Sequence, residues 1–169
     1  TTLDEAITTA LEALARAEGV SLYALLVALT KVLLHRYTGQ TDIVLGSVVT
    51  GRDHAALDDQ IGFYVETVAL RDTVRAATPF ATLLAEVRDT VDAAVAHRRF
   101  PFEEIVQALG VPRDPSRMPV FDVMLVFDRT SGMVASASGL QGTPLTLAAE
   151  ISKLDLTFHF HRAAGGLDV

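Results

Sequence analysis

Apolar positions recur along the chain first at helical spacing, then at strand spacing, then in alternation of the two. Ile7, Ala10, Leu11 and Leu14 fall at i, i+3, i+4 and i+7, and Thr2-x-x-Glu5 has capping-box spacing, so a helix is predicted over 3–18, stopped by Gly19. Ser21 is placed to cap a second helix, with Leu22, Leu25, Leu26, Leu29 and Leu33 as its apolar stripe and an end near Gly39. The nearly unbroken run Ile43–Val49 predicts a buried strand. The polar stretch 51–60 predicts a loop or one short helical turn. A second strand is predicted over 62–70, with Phe63, Val65 and Thr67 on one face and Tyr64, Glu66 and Val68 on the other. Thr78-Pro79 reads as N-cap plus first helical position, leading Phe80, Leu83, Leu84, Val87, Val91 and Val95 into a long helix that ends near His97. Phe100-Pro101 opens a shorter helix closed by Gly110, with Pro112 beyond. Strands over 120–127, 145–149 and 154–161, with a small-residue loop at 131–138, complete the pattern. The order ααβ-β-α-α-β-β-β predicts a mixed-sheet α/β sandwich.

Composition narrows the functions open to such a fold. A chain of 169 residues, half of them hydrophobic, can bury roughly two-thirds of its unfolded surface as one domain. That apolar share is generous for a free-standing domain and points to a partner surface. A net charge of −7, with no cluster of Lys or Arg, argues against nucleic acid, which needs a basic face. The absence of cysteine excludes disulfides and thiolate metal sites and suits a reducing, cytoplasmic setting. No apolar run reaches the roughly 20 residues of a membrane span. The chain opens on Thr1 and runs out at Gly165-Gly166-Leu167-Asp168-Val169 without a predicted closing element, and it is expected to be a fragment or processed piece.

Three stretches carry more chemistry than connectors need. They are Ile61-Gly62-Phe63-Tyr64-Val65-Glu66-Thr67 followed by Arg71, then His97-Arg98-Arg99-Phe100-Pro101-Phe102-Glu103, and finally Arg113-Asp114-Pro115-Ser116-Arg117-Met118-Pro119-Val120-Phe121. They resemble three motifs of the C-terminal lobe of condensation domains in nonribosomal peptide synthetases, written there Gly-x-Phe-Val-Asn-Thr, His-Gln-Asp-x-Pro-Phe-Glu and Arg-Asp-x-Ser-Arg-Asn-Pro-Leu. Arg36–Gln40, Asp42–Gly46 and Ser152–Thr157 look like the family as well. The resemblance implies one lobe of the CoA-dependent acyltransferase (chloramphenicol acetyltransferase-like) fold across residues 1–169, with the N-terminal lobe and the last C-terminal helices lying elsewhere. It also implies a tunnel between two lobes, where a carrier-bound acceptor amine attacks a carrier-bound donor thioester beside a His-His-x-x-x-Asp-Gly motif on the other lobe. That motif is absent from these 169 residues, so no catalytic residue is expected here and the chain alone is expected to be silent. The partners implied are that N-terminal lobe, peptidyl or acyl carrier proteins and a neighbouring adenylation domain. No cofactor is expected on the chain itself, because substrates ride on phosphopantetheine arms.

By the same resemblance Gly62, Tyr64, Glu66, Thr67 and Arg117 are tunnel-lining candidates, although an ordinary alternating strand gives the same pattern at 66 and 67. Arg71, His97, Pro101, Phe102, Glu103, Arg113, Asp114, Ser116 and Pro119 are the structural motif residues. Arg113, Asp114 and Arg117 suit a local ion-pair network fixing the approach to strand 120–127; alternatively Arg117 shapes the tunnel wall or ties the lobes. His97 suits helix termination and packing on Phe100, and Glu103 with Glu104 suits first-turn charge at a helix N-terminus. Glu66, Arg98-Arg99 and Met118 depart from the family's Asn, Gln-Asp and Asn. Two other patterns favour plain readings. His54-x-x-x-Asp58 lacks the preceding His and following Gly of an acyltransferase signature. His159 and His161 share a strand face but have no evident third metal ligand. A docking module within a synthetase, an ester-forming acyltransferase lobe or an epimerization relative remain alternatives.

Overall fold

A computed structural model of the chain describes residues 1–112, 114–128, 153–163 and 165–169. The elements run β1 (Thr2–Asp4), α1 (Glu5–Ala17), α2 (Leu22–Thr38), β2 (Asp42–Thr50), a 3₁₀ turn (Ala55–Leu57), β3 (Val65–Thr73), α3 (Phe80–Ala96), α4 (Phe102–Leu109), β4 (Val123–Asp128), β5 (Leu156–Ala163) and β6 (Gly166–Asp168). The strands form one mixed sheet in the order β1-β6-β5-β4-β2-β3. β4 runs parallel to both β2 and β5, and the remaining pairs are antiparallel. The expected mixed-sheet α/β sandwich is what forms.

Strand parity decides which residues meet the helices. Ile43, Leu45 and Ser47 of β2 stand opposite Asp72, Leu70 and Val68 of β3, and all six are buried. They pack with Leu125, Phe160 and Leu167 of the neighbouring strands against Leu25, Leu26, Val27, Leu84 and Val87 of α2 and α3. On the opposite face Phe121 packs against Gly46, where a Cβ would lie within 2.5 Å of three of its ring carbons, and it meets Phe102 of α4 at 5.4 Å between ring centroids. Gly46 is therefore glycine because an aromatic ring occupies the space a side chain would need.

The structure corrects several expectations. Thr2 does not cap α1: it is in β1, opposite Asp168 of β6, and Asp4 is the N-cap, accepting from the Ile7 amide at 2.8 Å. The 165–169 segment, expected to lack a closing element, contributes strand β6 between β5 and β1. α1 buries Thr8 and Ala15, while Ile7 and Leu14 of its predicted apolar stripe stay exposed. In α2, Leu33 is exposed and Lys31 is buried, the reverse of the simple stripe. Pro79, not Thr78, holds the N-cap position of α3. β3 begins at Val65 and not at Gly62, because residues 61–64 fold back with the preceding loop. β4 begins at Val123, because Val120 has φ +76°, outside the extended region. The predicted strand at 145–149 and loop at 131–138 lie outside the described residues. The cap at Ser21, the left-handed C-caps Gly39 and Gly110, and the α3 end at His97 stand as read.

Candidate functional site

Two of the three motifs meet at one corner of the sheet, where β2 ends and β3 begins. β2 delivers Thr50 opposite Val65 and Val49 opposite Glu66. The connecting loop is held to that corner by its own polar groups. The Gly51 amide donates to the Tyr64 carbonyl at 2.8 Å. Arg52 donates to the carbonyls of Leu57 and, at 2.9 Å, Gln60, and its guanidinium lies 4.4 Å from the Tyr64 ring centroid. The Tyr64 hydroxyl donates to Gln60 Oε1 at 3.2 Å. A Cβ on Gly62 would lie 2.7 Å from the Tyr64 ring, so a larger residue there would require the tyrosine ring to shift. Glu66 leans across the end of β2, with its Cγ and Oε1 3.4 Å from where a Gly51 Cβ would stand.

The second motif reaches the same corner from α3. His97 is the C-cap of α3, its amide donating to Ala93 O at 3.0 Å. The following arginines converge on one carboxylate: Arg98 NH2 and, at 2.9 Å, Arg99 Nε both bind Asp53. Arg98 NH1 also donates to Val95 O at 2.6 Å, while its buried Nε has no partner. The charge reversal at 98–99 relative to the family pattern is thus matched by an acid on the facing loop. Thr67, Ala69, His97, Arg98, Phe100 and Ile105 line a cleft of about 300 Å³ beside this cluster. Pro101 takes the N-cap position of α4, Phe102 is buried, and Glu103 with Glu104 occupies the first turn, where carboxylates suit the helix dipole.

The third motif touches the second at Phe102, whose ring is 5.4 Å from that of Phe121, but lies away from the corner. Asp114 Oδ1 accepts from the Ser116 amide at 2.8 Å and from its hydroxyl at 2.6 Å, closing a turn. The Ser116 side chain, then its backbone, hold the Asp114 carboxyl below its ordinary range. Arg117 pairs with Asp122 through Nε at 3.1 Å and NH2 at 2.7 Å, and with Asp155 at 3.9 Å. It thereby joins the approaches to β4 and β5. Asp122 precedes Val123 at about the level of Val44, whereas Glu66 stands opposite Val49; five strand steps put about 17 Å along the sheet between them. Arg117 is therefore not brought together with Gly62, Tyr64, Glu66 and Thr67. Arg71 is at the Arg117 end too, forked onto Asp42 at 2.9 and 2.7 Å. Pro119, with Met118 and Phe102, borders a groove of about 460 Å³ between α4 and the proline-rich loop. Arg113 lies outside the described residues.

His54 accepts from the Ala56 amide at 3.1 Å and caps the exposed 3₁₀ turn. His159 and His161 share a face, their rings 5.9 Å apart, and His161 is 3.4 Å from Asp168. Among the described residues no three His, Asp or Glu side chains form a metal set, and no single helix is long and apolar enough to cross a membrane.

Sequence reading missed the polar groups in the core. Lys31 is fully buried; it donates to Leu70 O at 2.9 Å and is paired with Asp72, which also accepts from Thr90 Oγ1 at 2.6 Å. Burial drives the Lys31 ammonium below its usual range, and Asp72 opposes that shift. Tyr23 donates to Ser47 Oγ at 2.7 Å, and Ser47 passes a bond to Leu125 O at 2.6 Å. Desolvation raises the Tyr23 hydroxyl above its ordinary value, the Ser47 bond lowering it in part. The available signal was parity: Lys31 lies a turn beyond the buried Val27 and Ala28, and Asp72 continues the inward series 68, 70.

A mixed sheet with a helical layer and this motif-bearing corner defines a lobe of the CoA-dependent acyltransferase kind. The Condensation domain family matches residues 1–169, and the chain belongs to that family. It is 44% identical over 147 residues to bacitracin synthase 3 of Bacillus licheniformis, covering 87% of this chain and 2% of that protein. Among solved structures it is similar to the X-domain from teicoplanin biosynthesis, with a TM-score of 0.84, 28% identity and coverage of 95% of this chain and 36% of that one. The X-domain in complex with OxyB, also from teicoplanin biosynthesis, gives a TM-score of 0.81 at 27% identity, covering 95% of this chain and 35% of that one. The chain thus spans about a third of a solved relative and a small fraction of a curated one.

Proposed function

We propose that residues 1–169 form most of the C-terminal lobe of a peptide-synthetase condensation domain, one wall of the tunnel in which an amide bond is made. The acceptor's amine nitrogen attacks the donor thioester carbonyl. The C–N bond forms, the C–S bond breaks, and the amine proton leaves as the pantetheine sulfur becomes a thiol. The imidazole that handles or positions that proton belongs to the other lobe, in the His-His-x-x-x-Asp-Gly motif. Here the corner of Gly62, Tyr64, Glu66 and Thr67 supplies wall, and Arg117 braces the far end of the sheet. Holding two tethered reactants in register is the larger contribution, since an amine and a thioester are already a reactive pair. The partners are the other lobe, carrier proteins with phosphopantetheine-borne substrates, and an adenylation domain, in the cytoplasm.

The observation that carries this reading is the family match over the whole chain, with motifs 62–67 and 97–103 converging on one corner. The test is amide formation from loaded carrier proteins, with the 169-residue chain alone and within a complete condensation domain. We expect product only from the complete domain; turnover by the isolated chain above the uncatalysed rate overturns the proposal. A second reading, a lobe that recruits another protein without catalysis, is favoured by the likeness to an X-domain solved in complex with OxyB. A complete domain that makes no amide yet retains a partner in pull-down would select it.

A further inference from the structure

Glu66 is a charge that its own chain leaves unanswered. Parity along β3 puts it in series with Val68, Leu70 and Asp72, all buried, and opposite Val49 of β2. Glu66 itself is half-buried. The two acids of this series are provided for differently. Asp72 is paired with Lys31 and accepts from Thr90 Oγ1 at 2.6 Å. Among the described residues, no hydrogen-bond donor or cation is paired with the Glu66 carboxylate. The arginines of the corner are committed elsewhere, Arg52 to the carbonyls of Leu57 and Gln60 and to the Tyr64 ring, Arg98 and Arg99 to Asp53. Gly51 puts no side chain beside Glu66 Oε1, from which a Cβ would stand 3.4 Å. A carboxylate partly withdrawn from water without a partner is electrostatically incomplete, and an arriving cation completes it.

We propose that Glu66 is a charge-selecting residue, receiving the cationic side chain of an aminoacyl or peptidyl group carried into the tunnel. The proposal rests on the functional reading above, which makes this corner a wall. The family pattern has a neutral Asn at this place, so the selection is particular to chains with an acid there. The reacting amine is not the group received. A carboxylate beside an amine favours its protonated form, and an ammonium has no lone pair to offer the thioester. The cation is therefore one that takes no part in the reaction, an ammonium or guanidinium at the end of a side chain of lysine, ornithine or arginine type.

The test uses the complete condensation domain and carrier proteins loaded with lysine or with its uncharged counterpart norleucine, each offered in turn as donor and as acceptor. In one of those positions lysyl should react at least about tenfold faster than norleucyl, the scale of a charge-assisted hydrogen bond. Glu66→Gln should bring that ratio to within about twofold of one. Glu66→Lys should turn the preference over, taking a glutamyl group ahead of a glutaminyl one. A ratio near one in both positions, or a preference that Glu66→Gln leaves intact, overturns the proposal. Binding is read separately by titrating the same domain with lysyl- and norleucyl-pantetheine in which an amide replaces the thioester. If Glu66→Gln weakens both mimics equally, the α-ammonium is the group received and the proposal falls. An active domain that binds the two mimics alike sinks only the charge selection. An inactive domain whose lysyl preference in binding is erased by Glu66→Gln sinks only the catalytic reading.

Discussion

Toward opposite ends of the β2–β3 pair stand two salt-bridged arrangements that do opposite jobs. In the core, Lys31 and Asp72 are sealed between α2, β3 and α3, with Thr90 and the Leu70 carbonyl taking up remaining valences. At the corner, Asp53 meets Arg98 and Arg99 while solvent reaches all three side chains. The core pair joins a helix to the edge strand, and the corner pair joins a loop to the end of a helix. Environment, more than the number of charges, sets what an ion pair does. Sealed from water, a charge without its partner has no refuge, so the pair makes the packing of three elements all-or-none. At the corner Arg99 is largely exposed and Asp53 and Arg98 keep about a fifth of their side chains in solvent, so water can take up part of a lost partner's role, and the cluster orders a local loop more than it holds the layers together.

The comparison is tested most severely by removing one core partner. Lys31→Met leaves the Asp72 carboxylate buried with only Thr90 beside it, and the expected loss is about 3–5 kcal/mol. Adding Asp72→Leu should restore most of that loss, because an apolar pair of similar volume needs no compensation. Urea unfolding of the single and double variants measures both. A single variant as stable as the parent would mean that the pair does not bind the layers together.

Asp53→Ala is the matching change at the corner. Its expected effect on global stability is about 1 kcal/mol or less, but amides 51–64 should exchange markedly faster while those of Leu45 and Leu70 hold. Hydrogen exchange reads both at once. Loss of protection throughout β2 and β3 would erase the distinction between the two arrangements.

How legible this was from the chain follows from the same physics. Periodicity located α2 and α3, and an unbroken apolar run located β2, because burial against a single core imposes both; α4 was marked by Phe100-Pro101 and Gly110, and Ser21 and Gly39 marked ends because their caps are local. β1 and β6 escaped because three-residue strands carry no period; they exist only through pairing with each other and with β5. Lys31 and Leu33 were inverted because an ion pair with a residue 41 positions away decided which side of the helix was inward. At the site, the resemblance marked 62–67 and 97–103, yet Arg52 and Asp53, which fasten the corner, looked like ordinary loop polarity. Arg117 shared a motif-level role with 62–67 in sequence, and only the strand register shows that it stands at the far end of the sheet.

The smallest effect is expected of a third pair, Asp42 and Arg71, which is the wettest: their side chains are 54% and 72% exposed. Its geometry is nonetheless a two-bond fork, and the Arg71 hydrogen bonds hold the Asp42 carboxyl below its ordinary range, burial opposing slightly. A carboxyl whose folded value is depressed binds fewer protons than in the unfolded chain. Its contribution is therefore complete above the unfolded value, near 4, and disappears as pH falls through the lower folded value. Arg71→Ala should return the Asp42 titration to the ordinary carboxylate range, followed by carbon-detected NMR of the side chain, while the unfolding midpoint at pH 7 barely moves. If that midpoint instead falls as far as in Lys31→Met, exposure does not grade these pairs, and the ordering from core to corner to open surface fails at its weakest member.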